Sequence, residues 1–106
     1  MPKYLIQASY TPEGVKGLLK DGGSKRRAAA AAAVTGLGGN LEVFYFAFGD
    51  TDVFAIADAP DNISAAAVSL AVTASGAVQA KTTVLLTPED MDQVAKKTVS
   101  YRPPGT

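Results

Sequence analysis

The chain has 106 residues, of which 47% are hydrophobic and 19% charged, the make-up of one folded domain rather than a disordered segment. Ten Lys and Arg balance ten Asp and Glu, so the basic surplus that marks most nucleic-acid binders is missing. There is no His and no Cys, which excludes His-based acid–base chemistry, Cys nucleophiles, disulfides, Fe–S clusters, a His or Cys axial haem ligand and the common zinc sites.

The expected protein therefore carries no cofactor and no metal, and has neither nucleic acid nor membrane as a partner. The opening Met1-Pro2-Lys3-Tyr4-Leu5-Ile6 soon meets Gln7 and Ser9, which fits no signal-peptide core. No apolar run approaches the ~18 residues of a membrane span. The cytoplasm is the default compartment.

Lys3 to Tyr10 lies between Pro2 and Thr11-Pro12 and contains Tyr4, Leu5, Ile6 and Tyr10. It reads as a strand. Thr11-Pro12-Glu13 is a helix start, with Thr as N-cap, Pro at the first position and an acid in the first turn. Val15, Leu18 and Leu19 follow at helical spacing. Asp21-Gly22-Gly23 interrupts the helix, and Ser24 is the expected cap of a second stretch running to about Val34 through six consecutive alanines, the best helix formers. Gly36-Leu37-Gly38-Gly39 ends it.

Leu41 to Phe48 is dense in aromatic and branched residues and is the clearest strand. Gly49-Asp50 marks a turn, and Val53 to Ala57 pairs back as a hairpin. Asp61 is the expected cap of a helix whose apolar face is Ile63, Ala67, Leu70, Ala71 and Ala74. Val78 to Leu86 is the last strand. Thr87-Pro88-Glu89-Asp90 repeats the helix start, and a short helix is expected to about Lys97. Residues 98–106 read as an irregular tail, leaving 1–97 as the domain.

This order, β-α-β-β-α-β, predicts an α+β, ferredoxin-like fold. Right-handed crossovers then place two helices on one face of a four-stranded antiparallel sheet. The second strand sets Leu41, Val43, Tyr45 and Ala47 on one face and Phe44, Phe46 and Phe48 on the other. Two apolar faces need two covers. A homodimer packed through the bare sheet face, as a dimeric α/β barrel, is the economical solution. The alternative is a monomer whose tail helix folds over that face.

These residues resemble the GYD-domain family, bacterial and archaeal proteins of the dimeric α/β-barrel kind. The likeness rests on Met1 to Ile6, on Tyr10-Thr11-Pro12-Glu13-Gly14, on Phe44-Tyr45-Phe46-Ala47-Phe48-Gly49-Asp50-Thr51-Asp52-Val53 and on Ala59-Pro60-Asp61. It covers about residues 1 to 95. It implies the same fold and dimer, and no established reaction. The family's Gly-x-Tyr-Asp hairpin has Thr51 here in place of the Tyr.

Gly36 to Gly39 follows a helix and lacks the Lys-Ser/Thr ending of a phosphate loop, so a turn is the simpler reading. Lys25-Arg26-Arg27 at a helix start is either an anion site or a solvated surface run. Asp50 and Asp52 flank Thr51 and have no third acid nearby for a hard cation. Turn chemistry explains them equally well. Asp52 and Tyr4 are the weak catalytic candidates, as acid–base groups. Tyr4, Gln7, Ser9, Lys81 and Thr83 are candidate pocket-lining groups.

Two functions stay open. One is an assembly or small-molecule-binding module. The other is a cofactor-independent enzyme, monooxygenase- or isomerase-like, with its pocket in the dimeric barrel; a ligand of either kind is expected between the helices and the sheet or in the dimer interior. Base stacking on the sheet aromatics in the manner of an RRM ranks last, because the chain is neutral and lacks the RNP signature.

Overall fold

The structure is a computed structural model that describes residues 1–106. Four strands and four helices alternate as β1 (Lys3–Tyr10), α1 (Pro12–Asp21), α2 (Gly23–Gly36), β2 (Asn40–Phe46), β3 (Val53–Asp58), α3 (Asn62–Ala74), β4 (Val78–Leu85) and α4 (Pro88–Lys96). The strands form one α+β sheet in the order β2-β3-β1-β4, with every pairing antiparallel. No helix is long and apolar enough to cross a membrane.

The helix starts follow local chemistry. Thr11, Asp61 and Thr87 each accept a backbone N–H three residues on, and Thr87 with Asp90 completes a reciprocal capping box. The exception is α2. Its cap is Gly22 (φ 84°) rather than Ser24, with no side-chain bond, so Ser24 lies inside the helix. Gly22 also ends α1, donating its N–H to the Leu18 carbonyl at 2.7 Å. A residue shared by two helices must turn the chain sharply, which a positive φ allows glycine to do. The first crossover is thus two helices, and the layer beside the sheet holds three helices where two were expected.

Asp61 also fixes part of the acid response. Its carboxylate accepts from the Ser64 backbone at 2.8 Å, and that bond holds its pKa below the usual 3.8. A carboxylate depressed on folding stabilises the fold above its unfolded pKa and loses that contribution as pH falls through the lower folded value. Asp61→Ala should therefore lower Tm at neutral pH and leave a progressively smaller deficit as pH falls below the usual carboxylate range, measured by melts from neutral to strongly acidic pH. An equal deficit at every pH would show that the cap bond does not depend on the charge.

On β1, Tyr4, Ile6, Ala8 and Tyr10 face the helices. On β3 and β4 the same face carries Val53, Ala55 and Ala57, and Val78, Ala80 and Thr82. β2 departs from simple alternation. Leu41 pairs with Ala57 and Val43 with Ile56, so Glu42 is an extra, bulged residue. The bulge moves Leu41 onto the helix side with Phe44 and Phe46, leaving Val43 and Tyr45 on the other face. The expected grouping of Leu41 with Val43 and Tyr45 is corrected accordingly. β2 also stops at Phe46. Ala47 still donates to the Asp52 carbonyl at 2.7 Å, but Phe48 is fully exposed at the hairpin tip.

The inward side of α3 is rotated from the one its spacing suggested, keeping Ala67 and Ala71 but not Ile63 or Leu70. Val68 and Val72 face the sheet, while Ile63 is 82% and Leu70 69% exposed. Its sequence is apolar nearly all round, so periodicity cannot choose a face. On α1, Leu18 faces inward and Leu19 is 79% exposed. Large side chains point out and alanines point in, so the core is thin: Tyr4, Val34, Val53 and Val78 with Ala8, Ala55, Ala57 and Ala59.

α4 does not cover the second sheet face. Every residue from Pro88 to Thr106 is exposed. The radius of gyration, 16.8 Å, exceeds the ~13 Å of a compact chain of this length, as a projecting arm requires.

A candidate binding cavity between sheet and helices

Small inward residues leave space between the two layers. A cavity of about 780 Å³ runs between the sheet and α1, α2 and α3. Ala29, Ala30 and Ala33 of α2 and Ala65, Ala67 and Ala71 of α3 face it from one side, and Ile6, Phe44, Ala55 and Ala80 from the other. Its charged residues are Glu13, Asp21, Arg26 and Asp58. Arg26 lies 3.9 Å from Asp21, Glu13 3.4 Å from Lys16, and Asp58 2.9 Å from Lys3. The interior is left apolar and close to neutral.

Tyr4 is 2% exposed and borders this cavity. Its hydroxyl donates to Asn62 Oδ1 at 2.6 Å, which ties β1 to the first residue of α3. Asp52 lies elsewhere. Its Oδ2 accepts from the Tyr10 N–H at 2.8 Å, and its own N–H donates to the Ala8 carbonyl at 2.8 Å. Asp52 thus extends the pairing of β1 beyond β3. Tyr10, which holds Asp52, is six steps along β1 from Tyr4, about 20 Å of strand, so the two acid–base candidates are not brought together.

Among the other candidate lining groups, Gln7, Ser9, Lys81 and Thr83 occupy the helix-free face, where Gln7 pairs across to Lys81 and Leu5 to Thr83. Ser9 Oγ donates to the Asp50 carbonyl at 2.9 Å. Asp50 and Asp52 have no third acid beside them. Gly39 donates to the Val34 carbonyl at 3.0 Å and Gly38 has φ 83°, so the glycine run is a helix-ending turn.

On that open face, Lys3 Nζ bridges Glu42 of the β2 bulge at 2.5 Å and Asp58 of β3 at 2.9 Å. The bond to Glu42, then that to Asp58, raises the Lys3 pKa above its usual 10.5. A raised lysine contributes fully below 10.5 and loses that contribution as pH rises through its folded value. The clamp joins three strands at one end of a face that also displays Val43, Tyr45, Phe54, Ile56 and Leu5.

Sequence reasoning placed a ligand between the helices and the sheet or in the dimer interior, but of the groups it named only Tyr4 lines the cavity. A signal for the lining was present in the alanine run of α2, whose inward positions carry too little volume to fill a sheet–helix core. Comparison with curated proteins and with solved structures gives no match. The family model of the GYD domain matches residues 4–95. With most of its length so matched, from β1 through nearly all of α4, the chain belongs to the GYD-domain family.

Proposed function

We propose that this protein is a homodimeric binding module that holds an uncharged, apolar small molecule between its sheet and its helices. The observation that carries this reading is the alanine-lined cavity of about 780 Å³. Its size lies within the ~300–1,000 Å³ range of ligand pockets. The space opens partly to solvent between the layers, which gives a guest a way in. Water finds few partners on so apolar a lining, so an apolar guest suits the space better. The internal pairing of the lining charges argues against an ionic guest.

The finer architecture belongs to the same proposal. The order β2-β3-β1-β4 with the helix layer on one face supports reading the fold as ferredoxin-like. Two copies packed open face to open face as a dimeric α/β barrel would cover Val43, Tyr45, Phe54, Ile56 and Leu5. The enzymatic alternative uses the same cavity, and Tyr4 is the acid–base candidate that borders it. Native mass spectrometry of protein purified without added ligand tests the proposal. A dimer carrying an extra organic mass supports it. A dimer without one refutes the binding role and leaves the assembly role. A bare monomer overturns both.

A further inference from the structure

The C-terminal arm and the β2 edge of the sheet hold complementary features that do not meet within one chain. α4 has nine residues, too few to stay helical in water on their own. Its capping box and Pro88 nevertheless define it sharply. Met91 and Val94 lie one turn apart on one side, both about half exposed. Glu89 and Asp92 make no ion pair.

At the opposite edge, a groove of about 440 Å³ runs between α2 and β2. Ala28, Ala31, Val43 and Tyr45 line it, with Arg27 at its side. Arg27 also makes no ion pair. Glu42, which borders the groove as well, is already held by Lys3. β2 is an edge strand, and such edges are ordinarily covered or blocked.

We propose that the arm of one copy docks in this groove of a second copy. Apolar Met91 and Val94 would meet the alanine and valine floor, and acidic Glu89 and Asp92 would meet Arg27. Reach forbids the same contact within one chain. β4 and β2 are opposite edges of the sheet, three strand spacings or about 14 Å apart. The two-residue link Leu86-Thr87 spans at most ~7 Å, so α4 cannot lie along its own β2. The contact is at the sheet edge and shares only Val43 and Tyr45 with the open face.

The chain has no Cys, so introduced thiols report cleanly. Ala31→Cys and Met91→Cys, each made in the full chain, are mixed under mild oxidation. The expected product is the mixed disulfide, several-fold above either self-pair. Arg27→Glu added to the first variant should reduce it, and Glu89→Lys with Asp92→Lys on the second should restore it. Absence of the mixed product overturns the proposal. So does a double Cys variant that closes within one chain. If the protein is dimeric by native mass while these thiols fail to pair, the arm contact is wrong and the open-face dimer stands.

Discussion

Gly14→Ala and Gly17→Ala, three residues apart in α1, should move stability in opposite directions. A Cβ on Gly14 would sit 1.9 Å from the Ala77 carbonyl oxygen and 3.0 Å from the Tyr10 ring. The obstacle is backbone, and it cannot rotate aside. That carbonyl also accepts from the Thr11 N–H at 3.0 Å, and the Thr11 hydroxyl bonds the Gly76 carbonyl at 2.9 Å. Relief of the clash therefore pulls α1 off the start of β4 and breaks the cap that begins the helix. The expected loss is at least ~3 kcal/mol, the upper range for overpacking. Gly17 has nothing within 4 Å of its Cβ position, and alanine there should stabilise by ~0.5–1 kcal/mol. Urea unfolding of the two variants beside the parent measures both. Equal and small effects would mean that α1 is not seated on the β4 start.

The contrast shows what the chain discloses by itself. Caps are local, so Thr11, Asp61 and Thr87 could be read directly from residue type and position. Strand identity at β1, β2 and β4 was equally accessible, and so was the family. Facing was not. One bulged residue, Glu42, reverses the side on which Leu41 lies, and nothing in Leu-Glu-Val announces it. In α3 the apolar residues are too evenly spread to reveal an inner side, and Ile63 and Leu70 turned out to be the outer ones.

The site was harder still to read, because it is made of what is small. Sequence reasoning looks for chemistry-bearing groups, and it selected Asp52, Gln7, Ser9, Lys81 and Thr83. None of these lines the cavity. Tyr4 does, although its hydroxyl is engaged in joining β1 to α3. A cavity formed by missing side-chain volume depends on which alanines of α2, α3, β1, β3 and β4 face one another. That is a tertiary property with no local motif.

Filling that volume should separate stability from binding. Ala30 of α2 and Ala65 of α3 both border the cavity, are partly buried and sit on different helices. Leucine keeps nearly all of alanine's helix propensity, and its extra carbons enter space that is now empty of protein. Each substitution in ligand-free protein should raise stability by ~1–2 kcal/mol, the upper range of cavity-filling gains. The combined variant should add nearly both, because the two residues approach the cavity from separate helices. The same variants should no longer retain an apolar guest, since two leucines remove volume that the guest would occupy. A fluorescent apolar probe titrated into parent and double variant reads the binding, and thermal melts of the same samples read the stability. Higher Tm with lost probe binding is the expected pair of results. If the double variant melts lower, the cavity is already closed by movement of α2 or α3 towards the sheet, and the binding role falls with it.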